Sequence, residues 1–152
     1  MIKPEAYTKP DIVMEQMQRL KKLKLHYNCV LVTEKTRYDI APWQDTVYYL
    51  PQVNRREYLM PLRMISIILR SIRILIKERP SAIVCTGVLA TVPLCVLCKL
   101  CKKKVIFIES FAKSHSCTRA GSLVYRFADL FIVQWDSMKA VYPRAVVGGS
   151  IY

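Results

Sequence analysis

Apolar residues recur along this chain with two different spacings, which predict two kinds of regular structure. Short runs rich in β-branched residues predict strands at 29–32, 47–50, 82–85, 105–108, 129–134 and 145–147. Apolar residues three and four apart predict helices at 12–25, 57–77, 88–102, 121–127 and 137–141, after an irregular N-terminus at 1–11. Strands that alternate with helices predict an α/β fold, a doubly wound parallel sheet with helices on both faces.

The strand at 105–108 is the most distinctive, because four consecutive apolar residues are typical of a strand covered on both faces. It stops abruptly on a carboxylate and a hydroxyl, Glu109 and Ser110. Ligands of parallel sheets bind beyond the carboxyl ends of the strands, so we expect the polar residues after each strand to converge at one edge. These residues are Thr33, Glu34, Lys35, Thr86, Gly87, Glu109, Ser110, Gln134, Trp135, Gly148 and Gly149.

Two of these positions, Gly87 and Glu109, suggest a role in binding or catalysis. Gly87 would let the backbone approach a phosphate ahead of a helix, although an ordinary strand-to-helix turn explains Thr86 and Gly87 about as well. Glu109 is the candidate catalytic residue, because a carboxylate that closes an apolar strand needs a partner and could accept a proton from a sugar hydroxyl. His115 is a loop residue that could contact a phosphate, and the spacing assembles no Ser-His-Asp or Cys-His set.

The helix at 57–77 is both amphipathic and basic. Its apolar spacing predicts a buried face formed by Leu62, Ile65, Leu69, Ile72 and Ile76. Two isoleucines fall close beside its basic stripe, which favours a helix whose cations meet lipid phosphates while the isoleucines enter the membrane interface. In the alternative, those isoleucines lie under another helix and the cations are simply solvated. The predicted membrane contacts are Arg63, Ile67, Arg70, Arg73, Ile74 and Lys77.

Composition narrows the class of protein. Lysine and arginine total 24 against 11 aspartates and glutamates, a net charge of +13, while 53% of the residues are hydrophobic. That hydrophobic content excludes a disordered chain, and 152 residues predict a single domain, residues 1–152. A basic, apolar-rich domain usually meets nucleic acid, an anionic membrane or phosphorylated substrates.

The cysteines and apolar runs bear on the compartment. Most of the six cysteines fall inside apolar runs, which predicts free thiols and a reducing, cytosolic compartment. Cys95, Cys98 and Cys101 are spaced like part of a metal motif, but we interpret them as core thiols and predict no metal and no cofactor. The N-terminus shows no apolar signal segment, and the longest apolar run, 82–98, falls short of the roughly 20 residues of a membrane helix. We therefore expect a protein that touches a membrane without crossing it.

Five ordered segments carry a family resemblance that covers about residue 14 to the C-terminus. They read AIVCTG at 82–87, VIFIESFA at 105–112, AGSLVYRFAD at 120–129, FIVQW at 131–135 and YP at 142–143. In this order they resemble the oligosaccharide-biosynthesis family that contains the membrane-anchoring subunit of the dolichol-linked N-acetylglucosaminyltransferase. Its bacterial members are polysaccharide-biosynthesis proteins of capsule and exopolysaccharide clusters.

The resemblance implies a fold and a division of labour. It implies a Rossmann-like domain, the N-terminal, acceptor-side half of a GT-B glycosyltransferase, working with a partner subunit that supplies the UDP-sugar site. The implied reaction transfers a sugar to a polyprenyl-pyrophosphate-linked acceptor at the cytoplasmic face of a membrane, with the chain bound peripherally. Substrate-binding residues would be Thr86, Gly87, Glu109, Ser110, Gln134 and Trp135, and no activity is expected without the partner.

One departure from the family pattern keeps other functions open. Family members usually begin with a strand and a Gly-Gly-His loop, whereas this chain has Asp11, Ile12 and Val13 at that place. A catalytically inactive scaffold that tethers its partner to the membrane is therefore the first alternative. A basic nucleic-acid-binding module is the second, although aromatic residues do not interleave with basic ones as a stacking platform requires.

Overall fold

The computed structural model describes residues 28–34, 46–51 and 60–148. The first helix of these ranges, α1 (Met60–Glu78), follows strands β1 (Leu31–Glu34) and β2 (Val47–Leu50). The remaining elements are β3 (Ala82–Cys85), a 3-10 turn (Leu89–Thr91), α2 (Val92–Leu100), β4 (Lys104–Ile108), α3 (Arg119–Val124), β5 (Leu130–Val133), a second 3-10 turn (Asp136–Ala140) and β6 (Val146–Val147). The predicted helix at 12–25 and the irregular residues 1–11 lie outside the described residues.

All strand pairs in the described part of the chain are parallel, which confirms the predicted α/β class. One sheet has the order β3-β4-β5-β6, and β1 and β2 form a separate two-stranded sheet. In the larger sheet Cys85 is opposite Phe107, and Ile108 is opposite Ile132. The carboxyl ends of β3, β4 and β5 therefore lie at the same edge.

The main core is built on the buried side of β4 and β5. Val105 and Phe107 are fully buried, and the ring of Phe107 stacks on that of Phe131 with centroids 4.9 Å apart. Tyr142 packs against Phe131 at 4.6 Å and extends this cluster toward the carboxyl edge. Tyr142, in the loop before β6, therefore lies at the end of β4.

Helix α1 is apolar on two opposite faces, and the predicted buried face is wrong. Leu62, Ile65, Leu69 and Ile76 are 55–65% exposed, whereas Ile67 and Ile74 are 0% and 7% exposed. The two buried isoleucines pack in a second core cluster with Leu50 and Ala90.

The predicted membrane contacts of Ile67 and Ile74 are consequently wrong as well, since these side chains face β2 and the turn before α2. Apolar periodicity identifies both faces of such a helix but does not tell which one packs. The buried face also carries Ser71, which is fully buried.

The cysteines of α2 are core thiols, as predicted, with one exception. Cys95 and Cys98 are fully buried, whereas Cys101 lies just past the helix and is exposed. Cys85 at the end of β3 is also buried, with its sulfur 3.0 Å from the Thr91 hydroxyl.

Within the ranges described above, no helix is both long enough and apolar enough to cross a membrane.

Candidate functional site

Most of the predicted polar residues lie just beyond the strands of the larger sheet, whereas Thr33 and Glu34 lie within β1 of the separate two-stranded sheet. Glu109 and Ser110 follow β4, Gln134 and Trp135 follow β5, and Thr86 and Gly87 follow β3. Gln134 Nε2 donates to the main-chain oxygen of Glu109 at 3.1 Å, which ties the ends of β4 and β5 together. Of the other predicted edge residues, Lys35 and Gly149 lie outside the described residues.

The side chain of Glu109 is the centre of a hydrogen-bond network. Its Oε1 accepts from the Ser110 N–H at 3.0 Å and from the Thr118 hydroxyl at 2.9 Å. Its Oε2 accepts from the Tyr142 hydroxyl at 2.8 Å, and the Thr118 N–H lies 3.4 Å away. Every one of these groups donates, which matches the acceptor-only character of a carboxylate.

This network changes the role predicted for Glu109. The residue is 1% exposed, and both carboxylate oxygens are already occupied by donors of the same chain. A buried carboxylate satisfied in this way stabilises the segments that it joins, and no oxygen remains open to a sugar hydroxyl. We therefore correct the catalytic and substrate-binding candidacy of Glu109 to a structural one: it joins β4, the start of α3 and the Tyr142 loop.

Thr118 and Gly121 form the α3 side of the network. The Thr118 hydroxyl accepts from the Gly121 N–H at 2.8 Å and so caps α3, while donating to Glu109. This cap begins α3 two residues earlier than the sequence predicts. A Cβ added to Gly121 would lie 2.1 Å from Glu109 Oε2, so only glycine lets the helix approach the carboxylate.

Further contacts fix the loop between β4 and α3. Trp135 Nε1 donates to the Phe111 main-chain oxygen at 2.9 Å, and the two rings lie 4.7 Å apart. The Ser137 hydroxyl donates to the main-chain oxygen of Ser114. The loop at 110–118, which we call the edge loop, is therefore attached to the segment after β5 at two places. The ring of Trp135 packs against Phe111, and its role in substrate binding stays a prediction.

Gln134 leaves one buried polar atom unsatisfied. Because its Nε2 donates to a carbonyl oxygen, the amide orientation is fixed and Oε1 is the remaining acceptor. Oε1 is buried and has no hydrogen-bond partner in the described part of the chain. An acceptor of this kind can receive a hydrogen bond from an incoming hydroxyl or amide.

Gly87 has the conformation that its predicted role requires. Its φ is +90°, a region that side chains rarely adopt, and a Cβ placed there would meet nothing within 4 Å. The backbone at this turn is thus open on the side where a side chain would stand. Its approach to a phosphate stays a prediction.

Charge at the site comes from the edge loop and its borders. Lys113 is half-buried with its amine 3.3 Å from the Ser116 hydroxyl, and His115 and Arg119 are exposed. Burial, together with the hydrogen bond to Glu109, raises the pKa of Tyr142 well above its ordinary value. Tyr142 therefore remains a neutral hydrogen-bond donor at physiological pH.

A second charged group lies at the opposite end of β4 and β5. The Lys99 amine, 2.8 Å from Asp129, lowers the pKa of that carboxyl, and the Val105 N–H contributes at 2.9 Å. Asp129 links α2 to the amino ends of two strands and is distant in register from the candidate site. It serves the fold rather than the chemistry.

The predicted basic membrane contacts lie on α1. Arg70 donates to the main-chain oxygen of Tyr49 at 3.3 Å, and Arg73 is exposed. Lys77 lies 5.4 Å from the centre of the Tyr48 ring, and a hydrogen bond with the Tyr48 hydroxyl raises the pKa of its amine. Arg63 is half-buried. By helical spacing these cations lie between the buried isoleucines and the exposed apolar face.

Sequence reasoning missed three residues around Glu109, which are its donors Thr118 and Tyr142 and the closely packed Gly121. The sequence contains only an indirect indication of these residues. A carboxylate after an apolar strand needs hydrogen-bond donors when it is buried, but the sequence pattern does not identify the segments that supply them. Two of the three lie in the segments that carried the family resemblance. Only the folded chain shows that they converge.

Comparison with known proteins gives matches of one kind. The family model for oligosaccharide biosynthesis protein Alg14 like matches residues 48–151. The UDP-N-acetylglucosamine transferase subunit ALG14 of Rattus norvegicus is 25% identical over 158 residues, covering 96% of this chain and 71% of the rat protein. The search of solved structures gives no significant match.

Two further relatives have the same name and are covered less completely. The subunit of Yarrowia lipolytica is 25% identical over 154 residues, and the chain spans 57% of its length. The human subunit is 30% identical over 81 residues, which correspond to 49% of this chain and 38% of the human protein. The family match takes in both sides of the Glu109 network and most of the described chain. The chain therefore belongs to the Alg14-like family of oligosaccharide biosynthesis proteins.

Proposed function

We propose that this chain is the acceptor-side subunit of a two-component UDP-N-acetylglucosamine transferase in lipid-linked oligosaccharide synthesis. The family match, which spans the whole carboxyl edge, carries the proposal. The relatives are named as subunits of such a transferase, which favours a separate catalytic partner with the UDP-sugar site. The chain would be one Rossmann-like domain, corresponding to the N-terminal half of a GT-B enzyme.

The site chemistry supports a binding role for this subunit. The edge loop presents basic side chains near an open glycine turn, and such groups suit the pyrophosphate of a polyprenyl-linked sugar acceptor. Gln134 Oε1 offers an unused acceptor close to the same edge, which suits a sugar hydroxyl. In this proposal Thr86, Gly87, Ser110 and Gln134 border the acceptor, and Trp135 and Glu109 hold the edge loop in position.

The burial of Glu109 also bears on where catalysis occurs. That carboxylate is engaged by donors of its own chain, so it is not free to take part in proton transfer. We therefore expect the chain to be inactive alone and the partner to complete the catalytic site at the cytoplasmic face of a membrane. A capsule or exopolysaccharide product stays a prediction.

Reconstitution with a partner subunit tests the proposal. The chain and a candidate UDP-sugar-binding subunit from the same genome are co-purified and given UDP-N-acetylglucosamine with a short polyprenyl-pyrophosphate sugar in detergent. We expect a complex and a lengthened lipid-linked sugar only when both chains are present. A complex without transfer would favour the scaffold alternative, and neither complex nor transfer would overturn the proposal.

Matched variants of the edge loop sharpen this assay. Lys113→Ala with His115→Ala removes two groups proposed to hold the pyrophosphate, and we expect a KM for the acceptor raised about tenfold. Ser122→Ala, on the exposed side of α3, is the control and should leave KM unchanged. An unchanged KM in the double variant would contradict the assignment of the edge loop to acceptor binding.

A further inference from the structure

We infer that the outer face of α1 is the surface on which this protein docks onto an anionic membrane. Its aliphatic side chains would enter the headgroup region while the neighbouring cations contact lipid phosphates. The inference deepens the proposed function, because a subunit that handles a lipid-linked acceptor must lie against the bilayer. It reassigns the membrane contact from the buried isoleucines to the opposite side of the helix.

The apolar part of this surface is large for an exposed helix face. We call it the outer stripe, and its members are Leu62, Ile65, Ile68, Leu69 and Ile76, all of them exposed. At about 100° per residue these positions fall on one side of the helix, with half-buried Ile72 among them. Single exposed apolar residues are common, but a contiguous row along a whole helix marks an interaction surface.

The orientation of the helix suits a flat membrane. The outer stripe lies opposite the face of Ile67, Ser71 and Ile74, which is fixed in the core. A helix of 19 residues is about 28 Å long, so several turns can lie tangent to a bilayer while the other face stays packed. None of the described elements has to open for the outer stripe to reach lipid.

The charges beside the stripe match anionic lipid. Arg70, Arg73 and Lys77 project next to the stripe on one side. The single acidic residue of the helix, Glu78, accepts a hydrogen bond from the Tyr48 hydroxyl. An interfacial helix combines an aliphatic face with Lys and Arg in this way, and each cation near the surface adds to the attraction for anionic lipid.

The neighbouring helix α2 also exposes aliphatic residues and has basic residues close to its end. It packs against α1 and exposes Val96 and Leu100, the latter at 75%. Lys102 and Lys103 follow directly after it. Two adjacent helices thus present aliphatic residues with basic residues nearby, as expected for a surface that meets a membrane.

Other occupants fit this surface less well. The outer stripe contains no aromatic residue, whereas the cores of protein interfaces are enriched in Tyr, Trp and Phe. A symmetric contact with a second copy would oppose two sets of the same cations across the interface. An anionic bilayer accommodates both the aliphatic stripe and the positive flank.

Flotation with vesicles tests the inference on the full chain. The variant Leu62→Ser, Ile65→Ser, Leu69→Ser, Ile76→Ser is compared with wild type on phosphatidylcholine vesicles that contain phosphatidylserine. We expect the membrane partition coefficient to fall by about tenfold or more. The control Leu123→Ser, Val146→Ser changes residues of similar exposure on α3 and β6, and it should bind as wild type does.

Charge variants test the second half of the surface. Arg73→Gln with Lys77→Gln should weaken binding to the anionic vesicles about tenfold and leave binding to pure phosphatidylcholine nearly unchanged. Equal flotation of wild type and the stripe variant would overturn the inference. So would an effect of the stripe variant confined to self-association or to capture of the catalytic partner, since those outcomes assign the face to a protein.

Quenching of tryptophan fluorescence measures membrane insertion directly. This experiment tests the inference even if the fourfold variant fails to fold. Leu69→Trp should be quenched by brominated lipid, whereas Leu123→Trp should show only the quenching of the native tryptophans, which both variants share. Equal quenching would overturn the inference. Transfer measured in detergent separates the two proposals: normal transfer without stripe-dependent binding refutes this inference alone, and stripe-dependent binding without transfer refutes the proposed function alone.

Discussion

Helix α1 and the carboxyl edge of β4 present opposite arrangements of polar and apolar groups. At the edge, a charged residue is buried and surrounded by donors from three segments. On α1, a row of aliphatic residues is exposed, whereas Ile67 and Ile74 face the core. The buried charge has its partners within the chain, whereas the exposed stripe finds none in the described residues. The contrast indicates that the Glu109 network is complete within the described residues, whereas the exposed face of α1 is the surface that we infer to meet a membrane.

The largest expected effect is at Gly121, where the edge is most tightly packed. Gly121→Ala places a methyl group against Glu109, Tyr142 and Thr118, at 2.1, 2.7 and 2.8 Å. Because these groups are fixed by their hydrogen bonds, we expect the free energy of unfolding to fall by about 3 kcal/mol or more. Urea denaturation measures it, and Ser122→Ala on the same helix should cost less than about 0.5 kcal/mol. A well-tolerated alanine would mean that the network is loose.

The second-largest expected effect is the difference in stability between substitutions on the two faces of α1. Ile67→Ala leaves a cavity in the core and should lower the free energy of unfolding by about 2–5 kcal/mol. Leu69→Ala, two residues away on the outer stripe, should change it by less than about 0.5 kcal/mol. Thermal unfolding of the two variants in parallel checks the assignment of faces. Similar losses in both would show that the outer stripe is covered.

Tyr142→Phe removes one donor from the Glu109 carboxylate and should cost about 1–3 kcal/mol at neutral pH. Folding raises the pKa of Tyr142, so the folded state holds the phenol proton more tightly than the unfolded state does. This stabilisation is fully present below the ordinary tyrosine pKa of about 10 and is lost as the pH rises above that value.

The melting temperature of wild type should therefore fall more steeply above about pH 10 than that of Tyr142→Phe. Melting curves recorded from pH 8 to pH 11.5 measure the difference. Parallel curves for the two proteins would contradict the buried position of this hydroxyl.

The smallest expected effect is at Trp135. Trp135→Phe loses the hydrogen bond to Phe111 but keeps an aromatic ring, so stability should fall by about 1 kcal/mol or less. Hydrogen exchange should nevertheless become faster in the edge loop at 110–118, with β3 unaffected as an internal control. Unchanged exchange in the loop would mean that the ring contact alone holds it.

Much of the fold was open to prediction because the strands are short, apolar and bounded by polar residues. The strand at 47–50 was predicted to the residue, and β4 and β5 to within one or two. Parallel pairing followed from the alternation of strands and helices. The strand at 29–32 is found two residues later, because the ladder to β2 selects the residues opposite Val47–Leu50.

The sequence by itself determined the α/β class, the family and the edge where Glu109, Gln134 and Gly87 stand. The class and the edge follow from local periodicity and from residues that lie close in the chain, and the family follows from the resemblance of five ordered segments. The tertiary structure decided which face of α1 is buried and what Glu109 does, because both depend on segments far apart in sequence. Tyr142 lies 33 residues from Glu109, and no local pattern shows that its hydroxyl occupies that carboxylate. A helix with two apolar faces likewise has no preferred inside until the sheet packs against one of them.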